Sequence, residues 1–198
     1  MPETDDALPF EQALNLLQAG AYTEALGLFA AQADGPDPTR EAARLGASLC
    51  HALSGQWQAA LSDLPVSEDP GEGALPVALR AVALAMQEPS EEALRAGLEA
   101  AYRPAAPLPL VTNPEWTALG RWYVRDGGPA LRHAVAGDEE PDPFGQALLA
   151  LVDPDPARGA SALQAAVEAG LDLPPILAAL ARLHRRASWI DTCRYKNL

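Results

Sequence analysis

The chain has 198 residues, 48% of them hydrophobic, and its 27 acidic residues against 14 lysines and arginines give a formal net charge of -13. A chain of this length buries roughly 70% of the surface that its unfolded form exposes, so folding requires neither a disulfide framework nor a structural metal. The negative charge repels phosphate backbones and anionic membrane surfaces, which argues against direct binding to nucleic acid or to a membrane.

The N-terminal residues, the most apolar stretch and the two cysteines favour a reducing, aqueous compartment. Three of the first six residues are acidic and none is basic, whereas a secretory signal begins with basic residues and continues as an apolar run. Residues 74 to 86 are the most apolar stretch, but Arg80 interrupts them and they are too short to span a bilayer. Cys50 and Cys193 are predicted to be free thiols, because two distant cysteines do not form a disulfide framework. We therefore expect a cytoplasmic protein.

Three pairs of helices are predicted in the first half of the chain. Leucines recur at helical spacing before Gly20, and a second apolar run follows it. Thr39 is placed to cap the third helix, and Ser90 the sixth. The predicted helices cover about 8–18 and 22–29, then 39–54 and 57–64, then 74–88 and 90–102. These pairs form a predicted N-terminal lobe, residues 1–103.

The second half is predicted to be a separate lobe, residues 114–198. Three prolines in residues 104–113 disfavour helix, so this stretch is the predicted linker. A fourth pair is expected on either side of Gly127-Gly128, and a fifth at 144–152 and 157–169. A last helix beginning at Pro174 would cap the array, which brings the total to about eleven helices and no strand. Residues 187–198 differ in composition from the rest, and nothing in the sequence assigns them a role.

A short pattern repeats along this all-α chain. Gly20-x-Tyr22-x-x-Ala25 is followed by Gly55-x-Trp57-x-x-Ala60 and, more loosely, by a third match that ends at Ala93. The alanines lie 35 and then 33 residues apart. A period of about 34 residues in a helical chain is typical of arrays of antiparallel helix-turn-helix units, each of which buries its apolar face against the next.

This pattern resembles the tetratricopeptide repeat family. The first-helix half of that family's motif is matched by Trp116, Leu119, Gly120 and Tyr123. The second-helix half is matched by Gly20, Tyr22, Ala25 and Phe29, and less fully by Gly55, Trp57 and Ala60. No unit matches throughout, and the middle unit has Ala47-Ser48 where the family has Leu-Gly. The resemblance implies an α-α solenoid in which small residues let paired helices approach closely; an irregular helical bundle is the alternative.

The resemblance implies that the protein is a non-enzymatic scaffold. Such a scaffold would hold a peptide or helix of another protein on the concave face formed by its first helices. On this chain, that face would carry Leu49, Leu53, Val82 and Met86. Arg121 and Arg125, one turn apart, would bind a carboxylate of the partner, unless they pair with acids of the chain itself. The alternative interpretation is that the leucines and Met86 are ordinary core residues covered by neighbouring helices. A homodimer and a regulatory or sensor module, which would bind a small ligand or control a DNA-binding or signalling partner, remain open alternatives.

No catalytic or cofactor site is predicted. Cys50 and His51 are adjacent on a helix and point about 100° apart, so they do not form a nucleophile-base pair by themselves. His133 and His184 have no second metal ligand at suitable spacing. The acidic loops around Asp142, Asp153 and Asp155 lack the glycine-containing loop of a calcium hand, and we expect them to be solvated turns. No cofactor or metal is therefore expected.

Overall fold

A computed structural model describes residues 7–35, 39–64, 74–101, 114–137 and 141–195. The predicted linker 104–113 lies outside these residues, as do residues 1–6 and the last three residues of the C-terminal tail. The backbone of the tail is helical as far as Tyr195.

The described residues are almost entirely helical and contain no strand, which confirms the predicted all-α class. The helices are α1 (Ala7–Gln18), α2 (Tyr22–Gln32), α3 (Thr39–Leu53), α4 (Trp57–Asp63), α5 (Ala74–Gln87), α6 (Glu91–Ala101), α7 (Pro114–Trp122), α8 (Gly128–Ala136), α9 (Pro143–Val152), α10 (Pro156–Glu168) and α11 (Pro174–Tyr195). A π-helical segment, Tyr123–Gly127, joins α7 to α8 without a break. The described residues therefore form ten separate helical segments, against the predicted number of about eleven.

The predicted turn at Gly127-Gly128 is wrong. Both glycines have right-handed helical dihedral angles and are buried. A Cβ atom on Gly127 would lie 2.7 Å from the Trp122 ring, and one on Gly128 would overlap the Pro154 ring. The glycines are needed for close packing beside the π turn, so the fourth unit is one irregular helix rather than a hairpin.

Glycine ends α1, α3 and α10 in the same way. Gly20 and Gly55 have φ angles of 77° and 73°, which are unstrained only for glycine. The amide after each glycine donates to a carbonyl five residues earlier, from Ala21 to Leu16 at 2.9 Å and from Gln56 to His51 at 2.8 Å. These are Schellman caps, and they reverse the chain into the second helix of each pair. The glycines of the repeated pattern thus have a direct conformational role.

The first two helix pairs use the other repeat residues in matching positions. Tyr22 and Trp57 are the first residues of α2 and α4, and Ala25 and Ala60 are fully buried. Ser48, at the position where the family has glycine, donates a hydrogen bond of 2.7 Å to the Ala60 carbonyl oxygen.

Phe29 links the first pair to the second. Its ring packs edge-on against Phe10 at a centroid distance of 5.4 Å. On the other side, a Cβ atom on Gly46 of α3 would lie 2.7 Å from the Phe29 ring. Phe29 thus fills the space between neighbouring helix pairs, as expected for a repeat.

The match to the first-helix half of the motif, in α7 and the π turn, departs from this pattern. Leu119 is fully buried, but a Cβ atom on Gly120 would have no described atom within 4 Å. Gly120 therefore does not lie at a close contact with another described helix, although the family resemblance implies such contacts at its small residues. Trp116 is partly buried against the core, and the Tyr123 hydroxyl donates to the Val152 carbonyl oxygen at 2.7 Å.

The helices after α6 pack back onto the helices before it. From α1 to α6, successive helices contact one another in chain order. Beyond α6, however, α7 contacts α1 and α3, α8 contacts α3, α9 contacts α5 and α6, and α11 contacts α6. In a linear solenoid each unit contacts only its neighbours in sequence. The order of the first six helices is compatible with a repeat, but the two predicted lobes share one hydrophobic core.

We predict that Gly97→Ala lowers the free energy of unfolding, although alanine favours helix by about 1 kcal/mol over glycine. Gly97 lies on α6, where an added Cβ would overlap the Ala81 Cβ and lie 3.1 Å from Leu151 Cδ1. Because the Ala81 Cβ cannot rotate away, α5 and α6 must separate, and overpacking of this kind costs roughly 1–3 kcal/mol. Gly120→Ala is the matched control and should be neutral or stabilising. Urea denaturation of both variants measures the difference; equal midpoints would contradict the packing at Gly97.

Candidate functional site

The predicted partner-binding residues of α3 and α5 lie in the interior. Leu49 and Val82 are both 0% exposed, while Leu53 and Met86 are partly buried and pack against the core. The elements that cover this face belong to the chain itself, because α7 and α8 contact α3 and α9 contacts α5. These four side chains do not line an open groove in the described structure.

The covering helix α9 explains why that face is closed. All six residues from 147 to 152 are buried, so α9 is apolar on every side over its last six residues. A helix of this kind must lie inside the protein. Sequence spacing identified the apolar faces of α3 and α5 but did not indicate that α9 would fill the space beside them.

Arg121 and Arg125 lie on the surface, on either side of the junction between α7 and the π turn. Arg125 Nε is 2.6 Å from Asp126 Oδ2, and both side chains are about half exposed or more. This is the intramolecular pairing that the sequence left open as an alternative. No described carboxylate lies within ion-pair distance of Arg121. Between the two arginines is Val124, which is 64% exposed.

A cluster around Asp153 was not anticipated. The sequence placed Asp153 in a solvated loop, but its side chain is fully buried at the end of α9. Its carboxylate accepts hydrogen bonds from Arg132 of α8 at 2.8 Å, from Arg158 of α10 at 3.0 Å and from the Asp155 amide at 2.9 Å. The expectation of a solvated acid is therefore wrong for Asp153. The Asp155 amide and Arg158 are close to Asp153 in sequence, but Arg132 lies 21 residues away on α8, and local spacing did not indicate this contact.

Two further acids of these turns, Asp142 and Asp155, cap helices. Asp142 accepts a hydrogen bond of 2.7 Å from the Gly145 amide at the start of α9, and Asp155 accepts one of 2.9 Å from the Ala157 amide at the start of α10. Side-chain caps of this type satisfy amide groups that have no partner within the helix. Within the described ranges no group of three or more His, Cys, Asp or Glu side chains is arranged to hold a metal ion.

Cys50 and His51 point to different surroundings. Cys50 is buried, and its loss of solvent raises the pKa of the thiol from 9.0 to about 12. His51 instead contacts groups near α4: its Nδ1 atom is 2.7 Å from Gln56 Oε1, and its Nε2 atom is 3.2 Å from Asp63 Oδ2. A thiol that stays protonated at neutral pH is a poor nucleophile, so this pair has the properties of a structural contact.

Comparison with known proteins adds no identity: no family model, no curated protein and no solved structure matches the chain. The resemblance to tetratricopeptide repeats accordingly depends on residue spacing and on the matching roles of Gly20 with Gly55 and of Ala25 with Ala60.

Among the described helices, none combines the length and the hydropathy needed to cross a bilayer.

We predict that the Cys50 thiol makes stability fall at alkaline pH. Since the folded pKa of about 12 exceeds 9.0, the unfolded thiol ionises first as pH rises, and this favours unfolding between pH 9 and pH 12. The loss should be about 1.4 kcal/mol between pH 8 and pH 10. Urea denaturation of wild type and of Cys50→Ala at both pH values isolates the effect, because other titrating groups are common to the two proteins. Equal pH dependence in both would contradict it.

A second prediction concerns the closed face of α3. Leu49→Ala should lower the free energy of unfolding by roughly 2–5 kcal/mol, the cost of a cavity in a filled core. The matched control is Leu84→Ala on α5, where the side chain is 45% exposed and the cost should be well below that range. Denaturant midpoints provide the measurement. A cost at Leu49 no greater than at Leu84 would mean that the face is open and that the groove exists.

Proposed function

We propose that this protein is a non-enzymatic interaction module, in which three tetratricopeptide-like helix pairs and five further helices form a rigid scaffold for another protein. The partner would be a peptide or helix segment, without direct contact to nucleic acid or membrane and without a bound cofactor. The proposed setting is the cytoplasm.

Support for this proposal comes from the first two helix pairs, in which Gly20 and Gly55, and Ala25 and Ala60, have matching roles. The contacts of α7 and α8 with α3, and of α9 with α5, limit where a partner would bind. With Leu49 and Val82 inside, a partner that bound there would have to displace an apolar helix from the core. Each fully buried leucine contributes about 1.5–3 kcal/mol, so this displacement is too costly for a reversible binding event. We therefore place the partner on the outer surface, which differs from the concave-groove mode that the family resemblance implies.

The outer surface offers few apolar contact points among the described residues. The large hydrophobic side chains that are clearly exposed are Val77, Leu84, Val124 and Leu177. Single exposed apolar residues are common on soluble proteins, so these are starting points for a search rather than a site by themselves. The buried, protonated Cys50 thiol supports a role other than nucleophilic catalysis.

Site-specific photo-crosslinking tests the proposal directly. Benzoylphenylalanine would replace Leu84, Val124 or Leu177, one at a time, in the full chain expressed in its native host. We expect at least one position to capture a single defined protein, because a docked partner brings its C–H bonds within reach of the probe. Probes at Glu24 and Glu99, which are exposed and polar, are the matched controls.

Two results would contradict the proposal. One is the absence of a specific adduct from all three apolar positions. The other is a robust hydrolase turnover by the purified chain that is lost in Cys50→Ala, since the module is expected to show only background rates.

A further inference from the structure

The outward side of the π turn combines charge with an apolar side chain. Arg121, Val124 and Arg125 are all exposed, with the Arg125 side chain at 66% and Val124 at 64%. Residues three and four apart are neighbours on a helix surface, so these three side chains share one face. We call these three residues the π-turn patch.

The backbone beneath the patch is held firmly from the inside. Trp122 is buried, and Tyr123 donates to the Val152 carbonyl oxygen at 2.7 Å. Gly127 and Gly128 fit closely against Trp122 and Pro154. A surface on a fixed backbone loses little conformational entropy on binding, which is a general advantage for a docking site. π turns inside α-helices are also frequent at functional sites.

The charge of the patch is opposite to that of the protein. The chain carries a net charge of -13, yet the patch has two arginines. Arg121 has no ion-pair partner among the described carboxylates, and the Arg125–Asp126 pair is exposed and so contributes little stability. Arg125 can therefore exchange Asp126 for a carboxylate of a partner at small cost. The patch is complementary to an acidic segment.

We propose that the π-turn patch docks an acidic peptide segment, with an aliphatic side chain on Val124 and carboxylates on Arg121 and Arg125. This inference deepens the proposed interaction function and rests on it. A nucleic acid fits less well, because the exposed Val124 side chain has no apolar counterpart on a phosphate backbone. A second copy of the chain, also strongly acidic, is repelled over most of its surface.

A nuclear magnetic resonance titration of the full chain tests the patch. The probe is the blocked hexapeptide Ac-EELLEE-NH2, followed through backbone amide shifts, with Ac-QQLLQQ-NH2 as the uncharged control. We expect shifts confined to residues near 121–126 and affinity in the range of about 1 mM, as suits a three-residue contact. Raising the salt to 0.5 M should weaken binding by about fivefold or more, because the arginines are exposed.

Variants separate the two components of the patch. Arg121→Ala combined with Arg125→Ala should weaken binding of the acidic peptide by roughly tenfold and remove its advantage over the glutamine peptide. Val124→Ala should weaken both peptides by a few fold while leaving the salt dependence unchanged. Arg95→Ala, an exposed arginine on α6, is the matched control and should bind like wild type. Unchanged amide spectra away from the substitutions establish that each variant is folded.

Three outcomes would overturn the proposal. The first is a set of shifts away from the π turn, or undiminished binding by the double arginine variant. The second is tighter binding of a ten-residue oligothymidylate than of the acidic peptide, which would indicate a polyanion site. The third is concentration-dependent dimerisation in sedimentation that the double arginine variant abolishes, which would make a second copy the occupant.

The crosslinking experiment distinguishes a failure of this inference from a failure of the proposed function. A partner captured at Leu84 or Leu177, but not at Val124, leaves the interaction module standing and rejects the patch. A lack of adducts at every position rejects the module, and the titration with Ac-EELLEE-NH2 still decides whether the patch recognises acidic segments.

Discussion

The burial of α9 against α5 and α6 is the packing interaction on which the remaining architecture depends. The last six residues of α9 have no exposed side, so the helix must be surrounded. Gly97 allows the necessary approach, because its missing Cβ leaves room for both Ala81 of α5 and Leu151 of α9. With α9 in this position, α5 is covered on most of its circumference, and the two halves of the chain share one core. An open array of helix pairs would leave these surfaces in water.

The junction between α7 and α8 follows from the same constraint. The π turn keeps the chain helical between α7 and α8, and α8 contacts both α3 and α9. The polar groups at the end of α9 are satisfied by this arrangement. Tyr123 binds the Val152 carbonyl oxygen, and Arg132 of α8 pairs with the buried Asp153 carboxylate. A buried carboxylate without such partners would be strongly unfavourable, so these contacts define how α8, α9 and α10 meet.

This arrangement places the apolar faces of α3 and α5 in the interior of the protein. The helices from α1 to α6 pack against one another in chain order, and later helices of the same chain contact α3 and α5. At the π turn, the inward side chains pack against the core and the outward side chains are exposed. Rigid backbone, exposed arginine and exposed valine coincide there, and this is why it is the surface we assign to a partner.

Local sequence was sufficient for most of the helices and for the glycine caps at Gly20 and Gly55. Gly20 and Gly55 end helices because a left-handed turn requires glycine, and Ala25 and Ala60 are buried where two helices cross; both features are readable from short-range spacing. Spacing also showed which side of α3 and α5 is apolar. It did not show what covers that side, because hydrophobicity is non-directional and any apolar surface of suitable shape satisfies it. Only the tertiary structure decided that α7 and α8 lie against α3, that α9 lies against α5, that Gly127-Gly128 continues a helix and that Asp153 is buried. The decisive contacts, such as α9 with α5 and Arg132 with Asp153, join elements that local spacing does not connect.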